Sequence, residues 1–239
     1  MVSPPPVEAL VFDVFGTCVD WRGSIIREAG EWSSTHGRPI DGVGLADAWR
    51  AMYQPALEQV RSGSRPFASL DALHRESLDS LAKRFGLDGL EEAALQHINT
   101  VWHRLDPWPD TIPGLLRLRS GYLIAPLSNG NVRLLARMAK RAGIPWDLVL
   151  SGELVQGYKP EPKVYLGAAR LLGLPPERVM MVAAHNSDLA AAQALGLRTA
   201  FVPRPSEHGP GQKTDLAASA AWDVVSSSFE ALADAMNCQ

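Results

Sequence analysis

A chain of 239 residues with 46% hydrophobic and 21% charged side chains can bury a full core without disulfides or a structural metal. Its formal net charge of −3 gives no electrostatic reason to expect a nucleic-acid partner. Cys18 and Cys238 form neither a disulfide framework nor a zinc spacing and suit a reducing cytosol. The opening Met1–Pro6 stretch lacks the basic and apolar runs of a signal peptide, and no apolar stretch is long enough to span a bilayer, so the expected location is the cytoplasm.

Val7 to Asp13 is an apolar, β-branched and aromatic run that reads as a strand buried on both faces, broken at Gly16-Thr17. From about Arg22 to Leu105 the pattern is helical, with apolar residues at helical spacing in Leu45–Gln59 and Ser69–Phe85. Beyond Pro107-Trp108-Pro109, strands and helices alternate. Ile112–Leu118 reads as a helix, Tyr122–Leu127 as a strand, Val132–Ala142 as a helix and Leu148–Ser151 as a short strand. Glu161–Leu172 reads as a helix, Val179–Ala184 as a strand, Leu189–Leu195 as a helix and Thr199–Val202 as a strand. A polar loop over Pro203–Gln212 and a last helix over Phe229–Met236 follow. The alternation predicts an α/β fold, a doubly wound parallel sheet of Rossmann type, with a helical cap inserted after the first strand. The expected division is a core of residues 1–19 and 107–239 and a cap of residues 20–106.

Ligands of such sheets bind at the carboxyl ends of the strands, and polar residues collect there. Asp13 ends the first strand as an anion fit for nucleophilic attack, or as a turn residue. Ser128-Asn129-Gly130 ends the next core strand, with a hydroxyl, an amide and backbone N–H groups suited to an anion, or to capping a turn. Lys159, in Gly157-Tyr158-Lys159-Pro160, would keep a neighbouring Asp13 ionised, or lie in solvent. Asp188, after Ala183-Ala184-His185-Asn186-Ser187, would pair with Lys159 or orient a water, or cap the next helix.

The order Asp-x-x-Gly-Thr, helical insertion, Ser-Asn-Gly, Lys-Pro, Asp closely resembles the haloacid dehalogenase superfamily, in particular its L-2-haloacid dehalogenase (type II) branch. The resemblance is carried by Phe12-Asp13-Val14-Phe15-Gly16-Thr17, Leu127-Ser128-Asn129-Gly130, Tyr158-Lys159-Pro160 with Val164-Tyr165, and Val182 to Asp188. In the insertion, Ala48-Trp49-Arg50 resembles the segment with the family's halide-binding arginine.

The resemblance implies hydrolytic dehalogenation of short 2-haloacids through a covalent aspartyl ester, with no metal or other cofactor. It implies that Asp13 attacks the halogen-bearing carbon. Arg50, aided by Asn129, would stabilise the departing halide, and Ser128 with nearby amides would hold the substrate carboxylate. Lys159 and Asp188 would balance charge and position water. Thr17 and Tyr165 match supporting polar positions, and Phe15 and Phe67 match pocket positions. Where the family usually has Ser and Asn, this chain has Ala183 and His185. With an unperturbed pKa near ~6.5, His185 is suited to activating the hydrolytic water, or it hydrogen-bonds Asp188 and fills space. The alternative activity is that of a phosphatase of the same superfamily, against which Phe15 stands where phosphate-cleaving relatives carry an acidic residue, and a non-catalytic small-anion binder is a second alternative. The expected partners are a small anionic haloacid and halide, with no membrane and no nucleic acid, and a homodimer is compatible with the fold. Trp21, Trp32, Trp102, Trp108, Trp146 and Trp222 are expected to pack core or interface. His36, His74, His97, His103 and His208 show no ligand spacing, and Arg61, Arg65 and Arg104 are the rivals of Arg50.

Overall fold

The computed structural model describes residues 5–239; the Met1–Pro4 part of the N-terminal reading lies outside them. The central sheet has six parallel strands in the order β5-β4-β1-β6-β7-β8. These are β1 (Ala9–Phe12), β4 (Leu123–Ser128), β5 (Leu150–Ser151), β6 (Val179–Ala183), β7 (Arg198–Phe201) and β8 (Val224–Val225). Every residue of β1 and β6 is buried, because helices cover both faces of the sheet. From β1 the chain builds outward to β4 and β5, then returns to the other side of β1 for β6, β7 and β8. That reversal opens a crevice at the carboxyl ends of β1, β4 and β6.

A two-stranded antiparallel ribbon, β2 (Val19–Asp20) with β3 (Asp106–Pro107), stands beside the sheet. Between its strands run α1 (Trp21–His36), α2 (Gly42–Arg61), α3 (Leu70–Leu81) and α4 (Glu92–Asn99). The Asp41 carboxylate accepts from the backbone N–H of Gly44 and caps α2, which buries Leu45, Trp49, Tyr53 and Leu57 at four-residue spacing. The flanking positions Arg50, Gln54 and Arg61 then face the crevice.

The helices that cover the sheet are α5 (Thr111–Arg119), α6 (Val132–Ala142), α7 (Pro162–Leu172), α8 (Asn186–Ala194) and α9 (Phe229–Ala235). Phe12 on β1 packs against Trp146 and Phe229, with ring centroids 5.4 and 5.5 Å away. Sequence reading missed the ribbon strands and β8, each two residues long and too short to carry a period of alternation. It also ran the first strand through Asp13, whereas the ladder ends at Phe12 and Asp13 turns into the crevice. No helix among the described residues is long and apolar enough to cross a membrane.

Gly114 is where α5 meets α9. A Cβ there would lie 2.5 Å from both the carbonyl carbon and the Cβ of Phe229, and backbone cannot swing aside. Gly114→Ala is expected to cost about 1–3 kcal/mol through overpacking. A thermal melt should show it as a fall of about 2–4 °C per kcal/mol; an unchanged midpoint would mean that the two helices separate freely.

Candidate active site

Asp13 sits just past β1, 7% exposed, with its backbone N–H donating to Val182 O at 3.0 Å. Three side chains fix its carboxylate. The Thr17 hydroxyl donates to Oδ2 at 2.7 Å, Lys159 Nζ donates to Oδ1 at 2.8 Å, and His185 Nδ1 lies 3.1 Å from Oδ2. Lys159 Nζ also donates to Asp188 Oδ2 at 2.5 Å, and the Tyr165 hydroxyl donates to Asp188 Oδ1 at 2.6 Å. Thr17 completes its own bonding by accepting from the backbone N–H of Ala184 at 2.9 Å, which ties the ends of β1 and β6 together. Asp188 lies in the first turn of α8, so pairing with Lys159 and that helical position occur together.

Burial by itself would raise the Asp13 carboxyl, but Lys159 and His185 outweigh it and hold Asp13 well below the usual carboxylate range. Burial works against the Lys159 ammonium too, and Asp13 with Asp188 more than reverses it, so the ammonium stays charged. Asp13 is therefore a dry anion with a permanent counter-ion.

His185 departs from expectation. Its ring lies between two carboxylates, with Nδ1 on Asp13 and Nε2 2.8 Å from Glu207 Oε2, and it makes no side-chain bond to Asp188. Burial disfavours the imidazolium, yet the bonds to Asp13 and Glu207 push its pKa up to about 10. At neutral pH the resting imidazole is a cation, whereas the unperturbed value had suggested a free base. Glu207, 1% exposed, is the residue that sequence reading missed. It lies in the segment read as a polar loop, and nothing in the local pattern marks it. Trp21 Nε1 donates to Glu207 Oε1 at 3.0 Å. Gly16, at φ +88°, makes the approach possible, since a Cβ there would fall 2.1 Å from Glu207 Oε1.

The crevice is lined by Asp13, Phe15, Arg50, Asn129, Lys159, Tyr165, His185 and Asp188 from the predicted set. It is also lined by Tyr53, Gln54 and Asp215, which sequence reading did not single out, and by Arg61 and His208, which it set aside. The Arg50 guanidinium lies over the rings of Tyr53, 4.3 Å away, and Trp21, 5.2 Å away; its Nη1 is buried with no hydrogen-bond partner among the described residues. Arg65 and Arg104 are engaged elsewhere, with Glu76 and Glu28. Asn129 accepts from the Lys159 backbone N–H at 2.7 Å and donates to the Tyr53 hydroxyl at 3.0 Å.

Two predicted substrate contacts are not on the crevice wall. Ser128 is fully buried, its Oγ accepting from Gly130 N at 3.1 Å, because the strand end points it into the turn. Phe67 packs on Tyr158, with centroids 5.3 Å apart. Thr17 lies behind Asp13 and acts through it. Among the described residues, no group of three or more His, Cys, Asp or Glu side chains is placed to hold a metal ion.

A doubly wound sheet with a buried aspartate, lysine and second aspartate at its strand ends is the frame of one hydrolase class. A family model for haloacid dehalogenase-like hydrolases matches residues 7–196, and the chain belongs to that family. Among solved structures, it is similar to an L-2-haloacid dehalogenase with 51% identity and a TM-score of 0.94, over 97% of this chain and 99% of that one. It is also similar to a defluorinating L-2-haloacid dehalogenase with 45% identity and a TM-score of 0.95, over 100% and 99%. The (S)-2-haloacid dehalogenase 1 of Pseudomonas sp. (strain CBS-3) is 32% identical over 206 residues, covering 83% of this chain and 86% of that protein.

The raised pKa of His185 has a consequence for stability. Stabilisation by the imidazolium is complete below the unfolded value of about 6.5 and is lost as pH rises through the folded value of about 10. Thermal melts between pH 7.5 and 10 should show the wild-type midpoint falling more steeply than that of His185→Gln. Parallel curves would mean that His185 is not held as a cation.

Proposed function

We propose that the protein hydrolyses short (S)-2-haloacids to 2-hydroxyacids through an ester on Asp13, with residues 20–106 as the cap that closes over the core of residues 1–19 and 107–239. The observation that carries this reading is Asp13 itself, a buried, ionised carboxylate lining a crevice that the Arg50 guanidinium also lines. Displacement at carbon needs a dry anionic nucleophile and a cationic sink for the leaving halide, and these two groups meet that need. The names of the similar enzymes point to the same substrates.

Among the described residues, Asp13 Oδ1 accepts only from Lys159, while Oδ2 accepts from Thr17 and faces His185. Oδ1 is thus the freer atom and attacks the α-carbon as the carbon–halogen bond breaks and its electron pair leaves on the halide. The substrate carboxylate enters a crevice rich in N–H donors. Ester formation removes the charge of Asp13 and with it one of the two anions that hold the His185 proton. The imidazolium, still oriented by Glu207, then passes that proton to solvent, and the neutral imidazole accepts one from the water whose oxygen attacks Cγ of Asp13. The Cγ–Oδ1 bond breaks, the hydroxyacid leaves with that oxygen and takes the proton back from the imidazolium, and the second water proton passes from the new carboxyl to His185, restoring the ion pair.

Phosphate-ester chemistry fits these residues less well. Phe15 has no proton for a leaving alkoxide, and the Lys159 ammonium stands between Asp13 and Asp188, where a bridging divalent cation would have to sit. Free, buried Cys18 and Cys238 suit a cytoplasmic setting.

Asp13→Asn is expected to abolish halide release while melting as the wild type does. A single turnover of wild type in ¹⁸O-water should label the enzyme's Asp13 and leave the hydroxyacid unlabelled. Label in the product instead would replace the ester by direct attack of water. Arg50→Ala is expected to lower turnover about 10²–10³-fold, with a small change in melting temperature; near wild-type kinetics would move the halide sink to Arg61.

A further inference from the structure

The crevice holds a donor that the dehalogenase reading leaves unused. Tyr53, one turn along α2 from Arg50, is 7% exposed and lines the crevice with Asp13, Arg50 and Asn129. The orientation of Asn129 is fixed, because its Oδ1 accepts from the Lys159 backbone N–H, so its Nδ2 faces the Tyr53 oxygen and donates to it. The phenol oxygen is thus an acceptor in this contact, and its own O–H has no acceptor among the described residues. A buried hydroxyl with an unspent donor beside a nucleophile is a place for an anion.

Resting on the dehalogenase reading, we propose that the Tyr53 hydroxyl donates a hydrogen bond to the departing halide, and that this donor makes fluorinated 2-haloacids substrates of the enzyme.

Two features sharpen that donor. The Arg50 guanidinium lies 4.3 Å over the phenol ring, and the Asn129 amide pulls on the phenol oxygen; both draw electron density away from the O–H. Burial raises the phenol above the ordinary tyrosine value, so it stays protonated at neutral pH. Fluoride is the smallest and most basic of the halides and accepts the strongest hydrogen bonds. It is also the poorest leaving group, and its departure concentrates charge on one small atom. A dry donor aimed at that atom lowers the barrier for fluoride more than for the larger, more diffuse chloride. In the step itself, Asp13 Oδ1 forms a bond to the α-carbon with its lone pair. The carbon–fluorine bond breaks with its pair on fluoride, which accepts the Tyr53 hydrogen bond without taking the proton.

The test is fluoride and chloride release from fluoroacetate and chloroacetate by wild type and Tyr53→Phe, with melting curves on both proteins. Wild type should release both halides. Tyr53→Phe should lose about 10²-fold in fluoride release but about tenfold or less in chloride release, so the ratio of the two rates is the readout. Should Tyr53→Phe fail to melt cooperatively, Tyr53→His takes its place, because an imidazole N–H restores a donor. Fluoride release within about tenfold of wild type then supports the proposal, and its loss with chloride release intact overturns it. Wild type that releases chloride but no fluoride overturns the proposal and leaves the dehalogenase reading standing, as does an unchanged ratio in Tyr53→Phe. Release of neither halide by wild type, from these or longer 2-haloacids, removes the dehalogenase reading itself.

Discussion

A lysine ammonium shared by two carboxylates, with all three groups withdrawn from water, is the interaction on which the rest of this site depends. Lys159 bonds Asp13 and Asp188 at 2.8 and 2.5 Å, and it is only 8% exposed. None of the three charges would be tolerated alone at that depth, since burial of an unpaired ion costs several kcal/mol. Together they make a carboxylate that is ionised yet unsolvated, the condition a nucleophile toward carbon requires. The sheet serves this triad. β1 delivers Asp13, the turn after β5 delivers Lys159, and α8 after β6 delivers Asp188. The Thr17 hydroxyl holds Oδ2 of Asp13 and the Tyr165 hydroxyl holds Oδ1 of Asp188, which fixes the orientation of both carboxylates.

A second ion chain, Asp13–His185–Glu207, meets the first at Asp13. The two cations on Asp13 differ in kind. Lys159 keeps its proton throughout, whereas the imidazolium is charged because two anions flank it. The charge of His185 therefore depends on the charge of Asp13, its neighbour at 3.1 Å. Gly16 belongs to this device, because any side chain there would occupy the space of the Glu207 carboxylate.

The helices inserted between β2 and β3 contribute differently. The Arg50 guanidinium lies over the rings of Trp21 and Tyr53, and Trp102 stacks on Trp21 and meets Trp49 edge-on behind them. A guanidinium held over rings keeps its charge available to an anion, whereas Arg61, which also lines the crevice, is paired with Glu58, and Arg65 and Arg104 are paired with Glu76 and Glu28. Asn129 joins α2 to the turn that carries Lys159 through its bonds to Tyr53 and to the Lys159 backbone.

The sequence alone determined the α/β order, the helical insertion and the strand-end residues Asp13, Asn129, Lys159 and Asp188. Local periodicity and turn chemistry mark strand ends, and those ends converge in any doubly wound sheet. Arg50 was legible only through the Ala-Trp-Arg context, and its neighbour Tyr53 passed as one more apolar position of the α2 stripe. The direction of side chains was out of reach. Ser128 and Phe67 do not line the crevice although their positions suggested otherwise; the Ser128 hydroxyl is taken up by the turn after β4, and the Phe67 ring packs on Tyr158. Glu207 and the charge of His185 were decided by tertiary structure alone. Glu207 lies more than 190 residues from Asp13, in a loop with no pattern, and a pKa depends on which charges stand within a few ångströms rather than on which residues are adjacent in the chain.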